Sequence, residues 1–450
     1  MQTSILAKYG EARLPRYTSY PTAPRFSAAV DVDAYRDWLD NLPPSDPVSL
    51  YVHIPFCRSM CWYCGCHTTI TRQDRPILDY LSVLREEISM VAARVPDRLP
   101  VGEVHFGGGT PTIVSPAEFL ALMALMRKHF AFSDMTGVAV EIDPRGLTAE
   151  MAQALGAAGV SRASLGVQSF DPLVQKAINR IQSEKQTAEA ADRLRGAGVG
   201  GINFDLIYGL PHQTVQSCVD TANAAIAMLP DRFAVFGYAH IPTFKKHQRM
   251  IDETVLPDTV ARNEQAGAIA ETLVAAGYRQ IGLDHFALPG DDLVQAQEAG
   301  RLRRNFQGYT TDNCDTLIGF GASAIGHMKK GYVQNEVAPG LYAQQITSGR
   351  LATVKGYRLT GEDRVRAEII ERLMCDFGAD IPAICKTYGF EPSQLLGGND
   401  RLAELERDGV LDVRDGVVRV SQNHRFVIRA VAAAFDAYIE QSNRTHSKAA

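Results

Sequence analysis

The sequence predicts an α/β protein: a parallel sheet covered on both faces, preceded by an N-terminal extension and followed by a smaller, mostly helical C-terminal domain. Three observations carry this. Between about residues 48 and 290, strand patterns alternate with amphipathic helix patterns. The strands read as near-continuous apolar runs, the mark of strands buried on both faces. Polar residues and glycines gather at or just beyond the strands' C-terminal ends, the edge that carries active sites in α/β barrels and open sheets.

Residues 1–47 form the extension, with prolines at 15, 21, 24, 43, 44 and 47. Proline removes a backbone donor and biases its predecessor away from helix, so 15–24 is expected extended, with a helix near 31–41. Residues 48–340 form the main domain. Strands are expected at 49–55, 103–109, 138–144, 162–169, 202–209, 233–240 and 279–287. The intervening helices are at 76–94, 116–129, 148–158, 171–178, 185–197, 214–228 and 258–276. Residues 341–450 form the C-terminal domain, with helices at 361–377, 380–388, 400–408 and 423–441, a hairpin around Arg414-Asp415-Gly416, and a polar, disordered tail from Ser442. This order resembles a winged helix, but no basic stripe accompanies it, and a lid or packing role is expected.

Net charge is −5 and the isoelectric point about 6.1, which speaks against a nucleic-acid protein. Arg301-Leu302-Arg303-Arg304 and Lys329-Lys330 are local basic runs, read as solvated faces or, for Arg303 and Arg304, as an anion site. No apolar run approaches the roughly eighteen residues of a membrane helix, and the first residues lack a signal-peptide pattern. A cytoplasmic protein without membrane or nucleic-acid partners is expected. Four of the eight cysteines fall within positions 57–66, which points to metal or redox chemistry, whereas Cys218, Cys314, Cys375 and Cys385 read as small apolar residues.

Cys57, Cys61 and Cys64 form C-x3-C-x2-C just after the first strand. Thiolates at this spacing select zinc or an iron–sulfur cluster. A structural zinc needs four closed ligands, and Cys66 or His67 would supply the fourth. Placement at the mouth of a sheet favours the cluster, because three thiolates leave one iron open.

This cysteine pattern, with Tyr63 before its last member and Gly107-Gly108-Gly109-Thr110-Pro111 after the second strand, resembles the radical S-adenosylmethionine (SAM) superfamily. The fold then expected is a partial (β/α)6 radical-SAM barrel. The segments PRYTSYPT, YVHIPFC, CWYCGC, HFGGGTPT, VEIDPR, LGVQSF, DLIYGLP, YAHIPT, DHFA and NFQGYTT narrow the resemblance to the oxygen-independent coproporphyrinogen III oxidases, over nearly the whole chain. The resemblance implies a radical SAM oxidoreductase of haem biosynthesis. Such an enzyme converts two propionates of coproporphyrinogen III to vinyls, giving protoporphyrinogen IX, through a SAM-derived 5′-deoxyadenosyl radical.

It also implies cofactors and site residues. One [4Fe-4S] cluster is held by Cys57, Cys61 and Cys64 plus SAM, and two SAM molecules are bound. The first SAM meets Tyr51, Gly108, Glu141 and Ile325. The second meets Tyr63, Gly109, Thr110, Gln168, Arg180, Asp205 and Ala239. Chemical type agrees in part: Glu141 can pair with an ammonium, Arg180 with a carboxylate, and Asp205 with an ammonium or a ribose hydroxyl. Without the resemblance, Glu141 also reads as a strand-end acid and Arg180 as a surface ion pair. Cys66 is extra to the cluster and favours oxidase over the family's haem-binding chaperone branch, where a phenylalanine is usual. A haem-remodelling radical SAM enzyme is a further alternative. Cys66, Glu141, Gln307 and Tyr309 are the expected catalytic residues, with Gln307 or Tyr309 facing the substrate. Arg16 is expected to meet a propionate. His105 and His285 read as satisfied histidines. The expected partners are coproporphyrinogen III and a flavodoxin- or ferredoxin-type electron donor, and the protein is expected to be a monomer.

Overall fold

The structure, a computed structural model, describes residues 5–439. Six parallel strands form its centre: β1 (Val48–Ile54), β2 (Val101–Gly108), β3 (Gly137–Ile142), β4 (Arg162–Gln168), β5 (Gly201–Tyr208) and β6 (Arg232–Gly237). They lie side by side in chain order, the topology of a partial (β/α)6 barrel. Each crossover runs through helix, as a parallel pair requires. These are Arg75–Ala92, Pro116–His129, Ala149–Ala157, Glu184–Gly196 and Val215–Ile226, with Thr259–Ala275 after β6. All but the first start on a capping side chain: Ser115, Thr148 and Asp258 accept N–H groups of the first turn, and Ser183 with Gln186 and Thr214 with Ser217 cap reciprocally.

The strands alternate more than their sequences suggest. In β3, Val138, Val140 and Ile142 are buried against the helices, while Gly137, Ala139 and Glu141 are only partly buried on the opposite face. Strands β4 and β5 continue that face with Ser164, Gly166 and Asp205, because Glu141 is in register with Ser164, and Gly166 with Asp205. The barrel interior is therefore polar and open, and the apolar core lies outside the strands, where Phe106 meets Phe119 and Phe204 meets Phe233.

Several expectations are corrected. Residues 279–287 form two antiparallel strands, β7 (Arg279–Ile281) and β8 (His285–Ala287), separated by Gly282 at φ +52°, a left-handed turn that ends the first strand. Four further strands extend the sheet beyond β1: β9 (Thr316–Phe320), β10 (Ile325–Met328), β11 (Gly331–Asn335) and β12 (Thr353–Arg358). The twelve-stranded order is β12-β11-β10-β9-β1-β2-β3-β4-β5-β6-β8-β7. Residues 341–358 thus stay with the large sheet, past the boundary expected at 340.

The C-terminal unit packs Gly361–Asp376, Ile381–Tyr388 and Asp400–Arg407 on a three-stranded sheet whose strand Gly378–Asp380 was not expected. The last helix is broken into a 3₁₀ turn, Gln422–Val427, and a short α-helix, Ile428–Ala433; residues 440 and 441 and the polar tail lie outside the described residues. Ile5, Leu14, Tyr17 and Tyr20 of the extension are buried in this C-terminal core. Among the described residues, no helix is long and apolar enough to cross a membrane.

Candidate active site

The loop leaving β1 carries the cysteines, and its backbone is tied down by two segments, residues 178–179 and residues 245–248. Asn179 Nδ2 donates to the Met60 carbonyl at 2.8 Å and the Trp62 N–H donates to Ile178 O at 2.9 Å. Gln248 Nε2 donates to Tyr63 O at 3.0 Å, and His247 Nε2 lies 2.7 Å from Cys64 O. Lys245 Nζ donates to Cys66 O at 2.9 Å. The sulfurs are held differently. Thr68 Oγ1 donates to Cys57 Sγ at 3.3 Å, and Arg180 and Arg145 donate to Cys61 Sγ at 3.6 and 3.7 Å. Cys64 Sγ accepts the Cys66 N–H at 3.4 Å. A hydrogen bond between the Cys64 and Cys66 side chains, ahead of this backbone one, pulls Cys64 down to about 6, and the same side-chain bond pushes Cys66 well above the ordinary thiol range.

The glycine turn after β2 lies against this loop. Gly109 N–H donates to Ile54 O at 2.9 Å and Thr110 N–H to Phe56 O at 2.8 Å. A β-carbon on Gly109 would stand 2.5 Å from Phe56 O, so only glycine allows this approach. Gly108 N–H donates to Glu141 Oε2 at 3.1 Å, and His105 Nε2 lies 3.4 Å from Glu141 Oε1. Burial works against the Glu141 charge, but His105 and the Gly108 N–H outweigh it and keep the carboxyl below its ordinary range. Asp205 is the opposite case. Ser164 Oγ lies 3.0 Å from both of its oxygens and Asn203 Nδ2 donates at 2.8 Å. Even so, burial, followed by the neighbouring Glu141 charge, pushes it up to about 7.

Cys57, Cys61, Cys64 and Cys66 line one cavity of about 650 Å³. The same cavity is lined by Tyr63, Gly108, Gly109 and Thr110, and by Glu141, Gln168, Arg180, Asp205 and Ala239. Gln168 and Arg180 are 8% and 6% exposed, yet Gln168 Oε1 and Arg180 Nε have no hydrogen-bond partner among the described residues. Gln168 also holds φ at +67°, an uncommon backbone state for this residue type. Buried unmade hydrogen bonds beside acids and soft sulfur donors fit a polar, charged cofactor and a thiolate-bound cluster. Among the described residues, no three His, Cys, Asp or Glu side chains converge on a single-ion site.

Other expected residues fall elsewhere. Tyr51 stands beside this wall, its hydroxyl 3.0 Å from His53 Nδ1 and its ring stacked on His105. Ile325 begins β10 and is not in the cavity lining. Gln307 lines a second cavity, which includes Arg16 and Cys66 and so adjoins the first. Tyr309 does not present its hydroxyl to either of these two cavities. The hydroxyl donates to Met374 O at 2.7 Å and accepts the Leu283 N–H at 2.9 Å, because the side chain fills the space over Gly282. Arg303 is taken up by Glu371 at 3.0 Å, and Lys329 and Lys330 by Asp46 and Asp37. His285 Nδ1 sits 2.7 Å from Asp284 Oδ1. Of the scattered cysteines, Cys218, Cys375 and Cys385 are buried and Cys314 is partly exposed.

The sequence did not mark Asp143, Ser164 or Asn203. Asp143 bonds both Arg145 and Arg180, and the other two seat Asp205. The only signal was place: each lies on or just after a barrel strand.

Residues 51–225 match the Radical SAM superfamily, and residues 359–427 match the HemN C-terminal domain. The chain is 58% identical over 449 residues to the oxygen-independent coproporphyrinogen III oxidase of Bradyrhizobium diazoefficiens, covering 100% of both chains. It is 41% identical to the anaerobic coproporphyrinogen III oxidase 1 of Cereibacter sphaeroides, covering 95% of each. The solved coproporphyrinogen III oxidase of Escherichia coli, a radical SAM enzyme, superposes with a TM-score of 0.90 at 36% identity, over 95% of this chain and 100% of that one.

Proposed function

The chain belongs to the oxygen-independent coproporphyrinogen III oxidases, and from that premise we propose that its cavity converts two propionates of coproporphyrinogen III to vinyl groups in porphyrin biosynthesis. The carrying observation is one cavity that gathers the cysteines, Glu141, Asp205 and Arg180, and adjoins a larger one at Cys66 and Arg16. A reduced [4Fe-4S] cluster with SAM supplies, when bound, a carbon radical able to remove hydrogen from an unactivated propionate carbon.

The chain's own residues position and shield that chemistry. Cys57, Cys61 and Cys64 would hold the cluster, with Arg145 and Arg180 donating hydrogen bonds to the Cys61 sulfur. Glu141, ionised, would take an ammonium of the first SAM, with Gly108 and Tyr51 beside it and Ile325 completing the set. The second SAM would lie along Tyr63, Gly109, Thr110, Gln168, Asp205 and Ala239, with the unmade bonds of Gln168 and Arg180 turned to it. Cys66 faces both cavities and can deliver or hold a proton between cofactor and substrate. Gln307 contacts the substrate, and Tyr309 holds the wall behind it.

In this reading the extension (1–47) covers the active site, the barrel runs on to about 358, and the C-terminal unit closes the far wall. The electron donor is a flavodoxin- or ferredoxin-type protein, the working form a monomer and the compartment the cytoplasm, all on the family pattern. The test is anaerobic: reconstituted protein, SAM, a reductant and coproporphyrinogen III, with porphyrins separated after oxidation. SAM-dependent mono- and divinyl products are expected. Cleavage of SAM without vinyl formation would overturn the substrate assignment.

A further inference from the structure

The second cavity measures about 1020 Å³ and carries five arginines, which are not equivalent. Arg429 donates to the carbonyls of Pro15 and Leu14, and Arg425 lies 4.3 Å over the Phe377 ring; both serve packing. Arg304 is different. Its side chain is 6% exposed, 3.8 Å from Asp284 Oδ1 and 4.4 Å over the Tyr309 ring, yet its Nε and Nη1 have no hydrogen-bond partner among the described residues. Arg262 lies 5.6 Å over the Tyr208 ring, and its Nε likewise has none. Among the described residues Arg16 makes one hydrogen bond, from Nη2 to Gly237 O at 3.1 Å, where the two cavities meet.

Buried guanidinium N–H groups without acceptors are costly, and a carboxylate is the ligand that satisfies them best, two oxygens to one fork. Asp284 does not neutralise the site alone. Burial works against its charge, but Arg304, His285 and Arg16 outweigh it and hold the carboxyl down at about 2, one anion facing Arg16 and Arg304. Glu264 and Glu271 are exposed at the cavity's edge. The cysteine cavity includes Arg16 but neither Arg262 nor Arg304.

Resting on the tetrapyrrole reading above, we propose that Arg262 and Arg304 bind the two propionate carboxylates that survive the reaction, leaving the reacting propionates free on the Arg16 and Cys66 side. The chemistry supports the division. A carboxylate that must leave as CO2 is held back by a tight ionic clamp in the ground state, whereas one that stays can be gripped equally in substrate, transition state and product. The clamp is uniform binding, so it acts on KM and on product affinity and leaves kcat nearly alone.

The test uses the reconstituted holoenzyme with Arg304→Gln, Arg304→Lys and Arg262→Gln. Protoporphyrin IX, which keeps only the surviving pair of carboxylates, and its dimethyl ester are the binding probes, read by fluorescence titration. Expected are a rise of roughly tenfold to a hundredfold in KM for coproporphyrinogen III and in Kd for protoporphyrin IX, a smaller loss for the lysine variant, and kcat within threefold. Ester affinity, iron content and SAM affinity stay unchanged. Variants that bind protoporphyrin IX as the wild type does overturn the clamp. So does an equal loss for acid and ester, which assigns a packing role. Wild-type vinyl formation is the separate check on the activity: arginine-dependent binding of protoporphyrin IX without vinyl products would leave the clamp standing and overturn the reaction.

Discussion

Cys57 and Cys61 take hydrogen bonds from Thr68 and from two arginines, Cys64 takes one from a backbone N–H, and Cys66 instead lines both cavities. The three supported sulfurs and the fourth should therefore separate on substitution. Serine at 57, 61 or 64 should each abolish iron binding, read as iron content and visible absorbance. Cys66→Ser should keep the iron and cut turnover by about a hundredfold or more, the lower end of the worth of a placed proton donor. Asp205 carries a second prediction. In the empty protein burial and then Glu141 raise its carboxyl to about 7, well above the roughly 4 of an unfolded chain. The folded state holds a proton the unfolded state has lost, so rising pH between about 4 and 7 destabilises the empty protein. A cationic ligand favours the ionised form. SAM affinity should thus improve by up to about tenfold per unit as pH rises toward 7 and level off above it. Asp205→Asn should flatten that profile in equilibrium titrations at pH 6, 7 and 8, and should stabilise the empty protein near neutrality.

At the scale of elements, the buried Glu87 joins one helix to the added strands. Its carboxylate accepts from Gly321 N–H at 2.6 Å, Asn335 Nδ2 at 2.6 Å and Tyr342 OH at 2.7 Å. These bonds fasten the turn between β9 and β10 to the helix Arg75–Ala92, and Tyr80 extends them by bridging Ala322 N–H and His53 O. Glu87→Ala leaves three buried donors unpaired and should cost about 3 kcal/mol or more in denaturant unfolding, with a fall in SAM affinity because Ile325 follows that turn. This region was also where the sequence was hardest to read. Strands β1 to β6 and their helices were legible because β-branched and apolar runs alternate with capped amphipathic helices over 190 residues. Strands β9 to β12 are short, broken by Gly319, Gly326, Gly331 and Gly356, and stabilised by pairing with each other and with β1, none of which leaves a local period. The site followed the same division. Motif residues on strand ends came together in one cavity, whereas Tyr309 and Arg303 take partners, Met374 and Glu371, more than sixty residues away, which no local pattern announces. Arg262 had no sequence signal, since it sits inside an ordinary helix.

The whole molecule depends on a return of the chain to its beginning. Ile5, Leu14, Tyr17 and Tyr20 are buried against the C-terminal helices, while Arg16, one residue from Tyr17, lines both cavities. Arg429 locks this arrangement. It is 6% exposed, its Nε donates to Pro15 O at 2.9 Å, and its Nη2 donates to Leu14 O. Burial and then the nearby Arg16 charge lower its pKa to about 9, so the two carbonyls hold a cation under strain from its own kind. Residues 14–20 thereby set Arg16 at the edge of both cavities, while Val30, Tyr35, Trp38 and Leu39 further along the extension pack into the barrel's core. Arg429→Ala removes two charge-assisted hydrogen bonds of about 1.5–3 kcal/mol each in their favourable setting, and it leaves every cysteine and every SAM-facing residue in place. The extension should then open locally more often than the barrel unfolds. Limited proteolysis should clip the first 22 residues several-fold faster. KM for coproporphyrinogen III should rise, because Arg16 is no longer held at the passage, while iron content and SAM affinity stay at wild-type values. A variant that loses iron and SAM in step with substrate would show instead that the two ends of the chain support the barrel itself, and the extension would then have no separate role in covering the site.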